Sequence, residues 1–316
     1  MAKVKASVIL TVLNEITSIE STVQALIHQS HKSDEIIIVD AGSTDGTLEY
    51  LKKQKGIRLF SHPSNRSVGR NFAVTKSKFP ILAFTDAGCI PEKDWLEELV
   101  KPFSVPAVTV VSGFYQGTYK NIFEKSQIPY VLIMSERAGK TEFFPSTRSM
   151  AIRKSTFLEL GGFHPELNYS EDYEFAHRLK SHGHAFHFAG SAVVTWQPRR
   201  SLAEAFWMFL FFAIGDIKAG ILRPKVKLLF IRYFVFFFLL FLLLELNTLY
   251  IIPYTLYSFM IYYFWSVAKN YKYVRDPRAF FWLPVLQFTS DASVILGSII
   301  GMMSRQWAIQ KPQPKA

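Results

Sequence analysis

A single cysteine, Cys89, in 316 residues excludes an intrachain disulfide framework and any multi-cysteine metal site, and suits a reducing compartment with the thiol buried. Two phosphate-binding signatures are missing as well. The glycine-containing stretch "AGSTDGT" at 41–47 lacks the lysine of a phosphate-cradling loop, and no Gly-x-Gly-x-x-Gly follows the first apolar run, so neither an ATPase nor a dinucleotide-binding reading gains support. Acidic residues are scarce in the last third. Residues 199–316 hold 14 Lys and Arg against 5 Asp and Glu, whereas residues 1–198 hold 22 against 20, so the tail carries nine of the eleven excess positive charges. Basic residues of the first part are interspersed with acids, which speaks against nucleic acid as a partner. With 49% hydrophobic and 16% aromatic residues the chain can bury a sizeable core.

What is present begins with a regular beat of short apolar runs. "SVILTVL", "EIIIVD", "IRLFS" and "ILAFTD" read as strands, and "TSIESTVQALIHQS", "TLEYLKKQ" and "GRNFAVTKS" between them read as helices. The N-terminal run is expected to be the first strand, since Asn14 and Glu15 end it too soon for a signal peptide. Strand and helix alternating at this spacing imply an α/β fold, a mostly parallel sheet with helices on both faces. Such sheets bind ligands beyond the carboxyl ends of their strands, and Glu15, Asp40 and Asp86 each follow the end of a different strand. Any one of them alone suits an ordinary turn or helix cap. Three in register predict a shared rim. Thr44 or Asp45 is the expected N-cap of the helix after Asp40.

The tail reads differently. From Tyr233 to Ala268 the only charge is Glu245, enough apolar sequence for a membrane hairpin turning near Asn247, given about 20 residues per crossing. Arg223, Lys225, Lys227 and Arg232 precede it and Lys269, Lys272, Arg275 and Arg278 follow, which places both flanks, and the first domain, in the cytoplasm. A third segment, Phe280–Met303, is long enough and is expected to cross despite Pro284 and Asp291, although Arg305, Lys311 and Lys315 at its exit would then sit on the disfavoured side and leave a re-entrant or interfacial course open. Asp291 is either a functional intramembrane carboxylate or a kink satisfied locally by Thr289, Ser290 and Ser293. "SLAEAFWMFLFFAIGD" is expected to lie on the leaflet. The expected domains are 1–200 cytoplasmic, 201–225 interfacial and 226–316 membrane-embedded.

Several stretches carry a resemblance. "VILTVLNE", "DEIIIVDAGSTDGT", "NRSVGRNFAV", "AFTDAGCIPEKDWLEEL", "MAIRKSTFLELGGF" and "YSEDYEFAHRLKSHG", in unbroken order over about residues 5–200, resemble family 2 inverting glycosyltransferases of the GT-A fold. The resemblance implies a nucleotide-sugar donor, with Glu15 and Asp40 at positions that hold base and ribose and Arg70 in the helix that approaches the nucleotide. Asp86 matches the first carboxylate of the family's D-x-D, implying a Mg²⁺ or Mn²⁺ ion. The second place is Gly88, which leaves any cation one carboxylate, the diphosphate oxygens and water. A late family histidine is matched by Trp196.

Asp172 of "SEDYEF", with Glu171 beside it, matches the base that deprotonates the acceptor hydroxyl, and a helix N-terminus capped by Ser170 is an equally good local reading. Arg148, Arg153 and Arg178 are candidate counter-charges for the leaving diphosphate. No Q-x-x-R-W motif follows, which favours transfer of one sugar over processive synthesis, and a membrane hairpin suggests a polyprenyl-linked or other lipid acceptor. Two other classes compete. Gly88 suggests a nucleotide-sugar binder without catalysis, which measurable transfer excludes. Asp291 suggests a membrane scaffold or transporter component, which truncation after Arg223 with retained donor binding excludes.

Overall fold

The computed structural model describes residues 4–139, 142–246 and 249–309, the last five by backbone only. Its chain divides into two units, one of residues 1–118 and 132–197, the other of residues 119–131 and 198–316.

In the first unit β1 (Ala6–Val12), α1 (Ile19–Ile27), β2 (Glu35–Asp40), α2 (Thr47–Lys52), β3 (Arg58–Ser61), α3 (Arg66–Lys76) and β4 (Ile81–Phe84) alternate as the apolar runs predict. β5 (Cys89–Pro91), α4 (Trp95–Val100) and β6 (Val110–Gly117) follow. After α5 (Ile122–Val131), which belongs to the second unit, come β7 (Met150–Arg153), α6 (Lys154–Glu159), α7 (Glu171–Ser181) and β8 (Phe186–Trp196). Eight strands form one mixed sheet in the order β3-β2-β1-β4-β7-β6-β8-β5. The β3-β2-β1-β4 half is parallel throughout. Such a half is covered on both faces, so its inner strands are largely apolar, and every residue of β2 is buried, while β3 at the edge is only partly covered. Chain order reverses direction between β1 and β4, the kind of switch point at which α/β sheets open a ligand crevice.

The core under this half joins Ile9, Ile37, Val39, Leu82 and Phe84 to Phe157, Phe163, Phe175 and Leu179. Phe157, Phe163 and Phe175 stack edge to face or tilted with centroids 5.1–5.2 Å apart, each such pair adding about 0.5–1.5 kcal/mol beyond area burial. Phe175 and Leu179, one helical turn apart, therefore anchor α7, and with it the acidic first turn that begins at Glu171.

The second unit adds α8 (Leu202–Lys218), α9 (Pro224–Glu245), α10 (Ile251–Val274) and α11 (Ala279–Ile309) to α5. α9 and Ala279–Ser304 are long and apolar enough to cross a membrane, with mean hydropathies of 2.4 and 1.4. α10, the expected second arm of the hairpin, is not one of the two, because tyrosines, Thr255 and Ser258 dilute its apolar content. The expected turn at Asn247 lies outside the described residues, as do Lys311 and Lys315. Leu228, Phe234, Phe237, Phe241 and Leu244 of α9 all face outward, an apolar surface that water solvates poorly.

α8 packs on α11 across Gly297 and Gly301. A Cβ at Gly297 would lie 2.5 Å from the Leu210 carbonyl oxygen, and one at Gly301 would lie 2.8 Å from Ile217 Cβ, so this G-x-x-x-G spacing permits the close approach. Asp291 is buried and accepts hydrogen bonds from Tyr262 OH at 3.0 Å, Tyr233 OH at 3.2 Å, Gln287 Nε2 at 2.8 Å and Arg232. Thr289 and Ser293 instead donate to carbonyls of their own helix, so Asp291 is satisfied by Arg232, Tyr233 and Tyr262 of neighbouring helices together with Gln287 of its own, and not by Thr289 and Ser293.

Candidate active site

All six candidate residues lie at the carboxyl ends of β1, β2 and β4 or on the helices that meet them, α3 and α7. Glu15 and Asp40 are brought together by two interlaced loops. Asn14 accepts from the Thr44 amide at 2.8 Å and donates its own amide to Ser43 Oγ, the Glu15 amide donates to Thr47 Oγ1 at 2.9 Å, and that of Ile16 to Asp45. Gly46, at φ +98°, takes the N-cap position of α2, while Asp45 accepts from the Thr47 amide and hydroxyl just inside it. Asp40 is fully buried; its Oδ2 accepts the amides of Gly42 and Ser43, each at 3.0 Å. Its Oδ1 is buried with no hydrogen-bond partner among the described residues, an acceptor left for a donor that a ligand brings.

Arg70 joins the other three. It is 2% exposed on α3, lies over the Phe163 ring, donates Nη2 to Asp86 Oδ1 at 2.7 Å and donates Nη1 to Glu171. Burial alone would lower the guanidinium pKa, but the charges of Asp86, Glu171 and Asp172 outweigh it and hold the arginine protonated. Burial acts on Asp86 in the opposite sense to its neighbours, and Arg70, Arg66 and Arg148 together keep that carboxyl below its usual range. For Glu171 burial wins over Arg70 and pushes the carboxyl up. One helix turn thus carries two carboxylates with different environments: Glu171 is buried against Arg70, and Asp172 is partly open. Asp172 Oδ2 accepts from Ser146 Oγ at 2.8 Å and the Thr147 amide at 3.2 Å, which fix it. Ser170, at φ +59°, occupies the N-cap position of α7 without a side-chain capping bond.

Gly88, at φ +82°, lies in the left-handed region that side chains rarely adopt, and a Cβ there would stand 3.8 Å from Glu15 Oε2. The loop after β4 therefore folds onto the loop after β1. It presents one carboxylate, Asp86, with one oxygen already on Arg70. No group of three or more His, Cys, Asp or Glu that could hold a metal occurs among the described residues. His182 contacts the Arg178 carbonyl at the end of α7. What fits here is a magnesium or manganese ion that brings its own diphosphate and water ligands, not one caged by protein.

Of the three candidate counter-charges, two are structural. Arg153 donates to the Val108 carbonyl at 2.9 Å and the Phe103 carbonyl at 3.2 Å; Arg178 donates to the Gly162 carbonyl and pairs with Glu174, both at 2.8 Å. Arg148 is left, on the turn that also holds Asp172.

The sequence comparisons agree with this edge. Residues 7–161 match the profile of Glycosyl transferase family 2. The chain belongs to that family. This family 2 enzyme is a nucleotide-sugar-dependent glycosyltransferase, and its sheet is the GT-A type that the motifs imply. It is 28% identical over 209 residues to glycosyltransferase AglE of Haloferax volcanii, an alignment covering 63% of this chain and 68% of AglE. It is 26% identical over 206 residues to the O-antigen chain rhamnosyltransferase RfbN of Salmonella typhimurium, covering 59% and 65%. Among solved structures, mannosyltransferase PcManGT from Pyrobaculum calidifontis, in complex with GDP-Man and Mn²⁺, superposes on 95% of this chain and 88% of its own with a TM-score of 0.61 at 17% identity. That likeness shows a shared fold.

Proposed function

We propose that this glycosyltransferase moves one hexose from a nucleoside-diphosphate sugar to a hydroxyl of a lipid-linked acceptor, with inversion at the anomeric carbon. Asp172 is the base, held by Ser146 and Thr147 and sharing its helix turn with Glu171. The acceptor oxygen bonds to the anomeric carbon as Asp172 takes its proton, and the carbon–oxygen bond to the diphosphate breaks with the electron pair leaving on the phosphate. Arg70 is a positioning residue that ties Asp86, on the donor side, to Glu171, next to the base. Glu15 and Asp40 hold the nucleoside, the free Oδ1 of Asp40 accepting from base or ribose. A Mg²⁺ or Mn²⁺ ion bound with the donor would be held by Asp86 and would neutralise charge on the departing diphosphate.

The observation that carries this reading is the Arg70 bridge, which couples a carboxylate after β4 to the acidic turn of α7 across 101 residues of sequence. Domain assignment follows the same logic: residues 1–200 catalytic and cytoplasmic, 201–225 an interfacial segment, 226–316 the membrane anchor. The apolar α9 and the basic residues around it support a membrane surface where lipid-linked acceptors lie. The test is a screen of UDP-, GDP- and dTDP-sugars against polyprenyl-linked acceptors with detergent-solubilised protein, wild type beside Asp172→Asn. Loss of a base lowers transfer by about 10²- to 10⁴-fold while nucleoside-diphosphate affinity stays. Donor binding lost in step with transfer would assign Asp172 another task.

A further inference from the structure

Arg148 is the one of the three candidate counter-charges whose guanidinium no carbonyl or carboxylate of the described residues holds by a hydrogen bond. β4 and β7 run antiparallel with Phe84 opposite Met150, and the same register carried two residues past each strand end sets Asp86 across from Arg148. Thr85 Oγ1 closes this pairing on the Arg148 carbonyl oxygen at 3.0 Å. On its other side the turn holds Ser146 and Thr147 against Asp172. The turn is pinned from beneath by Ser149, whose Oγ accepts from Trp95 Nε1 at 2.8 Å and donates to the Ala192 carbonyl at 3.0 Å.

Arg148 is thus held between the donor-side carboxylate and the candidate base. Its guanidinium lies over the Tyr115 ring, 5.5 Å from the centroid, and makes no hydrogen bond or ion pair to any described residue. A partly enclosed guanidinium has five N–H donors in a fork that matches phosphate oxygens, and leaving them unmet is costly. Across from it stands the loop in which Gly88 replaces the second carboxylate of a D-x-D pair. Arg148 there adds a fixed positive charge to whatever cation the single carboxylate Asp86 recruits with the donor.

We propose that Arg148 binds the donor's diphosphate directly, so that this chain still distinguishes a nucleoside diphosphate from a monophosphate when no divalent cation is bound. The proposal rests on the donor reading above and names the residue that takes the phosphate charge. A bidentate, charge-assisted contact of this kind favours diphosphate over monophosphate by roughly 10- to 100-fold.

Calorimetric titration of the full chain in detergent with UDP, UMP, GDP, GMP, dTDP and dTMP, in EDTA and again in Mg²⁺ or Mn²⁺, tests it. Wild type should prefer its diphosphate over the matching monophosphate in EDTA by that factor. Arg148→Gln should bring the ratio to near one with monophosphate affinity unchanged, and Arg148→Lys should keep part of it. Because the ratio is taken within one preparation, an inactive fraction cancels. Diphosphate preference that vanishes in EDTA for wild type, or that survives in Arg148→Gln, overturns the proposal and leaves the donor reading standing. If none of the six nucleotides binds wild type in either medium, the donor reading falls and the proposal with it.

Discussion

Replacing Arg70 by methionine asks how much the buried ionic bridge contributes to the catalytic unit. The change keeps an unbranched side chain against Phe163 and deletes the guanidinium with its charge and its donors to Asp86 and Glu171. Two carboxylates lose a partner. Asp86 keeps 26% of its side chain in contact with solvent and is compensated by water, whereas Glu171, at 3%, is left unpaired inside. An uncompensated buried charge costs about 3–5 kcal/mol. Burial already pushes the Glu171 carboxyl up, so protonation limits the penalty at low pH and the full cost develops as pH rises through its folded pKa.

Cys89 makes the measurement specific. It is the only cysteine, lies 1% exposed in the same unit, and has a thiol pushed up to about 12 by burial, so it reacts only when the unit opens. Thiol labelling of Arg70→Met should therefore be faster than wild type by roughly two to three and a half orders of magnitude, and the enhancement should grow with pH. The double variant Arg70→Met/Glu171→Met removes both charges and should recover most of the protection, since a neutral, well-packed replacement of a buried pair is close to neutral in stability. Arg70→Met labelling within threefold of wild type would refute the argument, as would a double variant no better protected than the single.

Two further outcomes follow from other parts of the chain. Gly297→Val should lower the thermal stability of the detergent-solubilised protein, by about 1–3 kcal/mol or more of overpacking, because its Cβ would meet the Leu210 carbonyl; Ile299→Ala, at an exposed position of the same helix, should shift it little. On the acid side, Asp86 has a folded pKa below its ordinary 3.8, so its contribution to stability is present above the unfolded value and lost as pH falls through the folded one. Urea unfolding followed by tryptophan fluorescence should accordingly fall more steeply below about pH 4 for wild type than for Asp86→Asn, and parallel curves would remove Asp86 from the ion network.

Much of the catalytic unit can be read from contiguous residues. "EIIIVD" is a strand because it is β-branched and apolar throughout, and Asp40 lies at its end because the apolar run stops there. The same holds for β1 with Glu15 just beyond it and β4 with Asp86, so three acidic side chains at one edge follow from periodicity and from parallel pairing alone. Gly297 and Gly301 carry a signal of the other kind: the G-x-x-x-G spacing stands in the sequence, but only its place against α8 gives it meaning.

The local sequence by itself determined the strands, the helices between them, the acidic rim and the apolar length of α9, since each depends on side chains within a few residues of one another. Tertiary structure decided which charges meet. Arg70 is a buried bridge and Arg153 and Arg178 are tied to carbonyls, while Arg148 keeps its donors free; Asp291 takes its partners from α9 and α10 as well as its own helix. Apart from Gln287, four residues before Asp291, these partners lie 16 to 101 residues apart. Composition and spacing carry no record of such pairings, because a guanidinium chooses among acceptors only after the backbone has set which of them lie within about 3 Å.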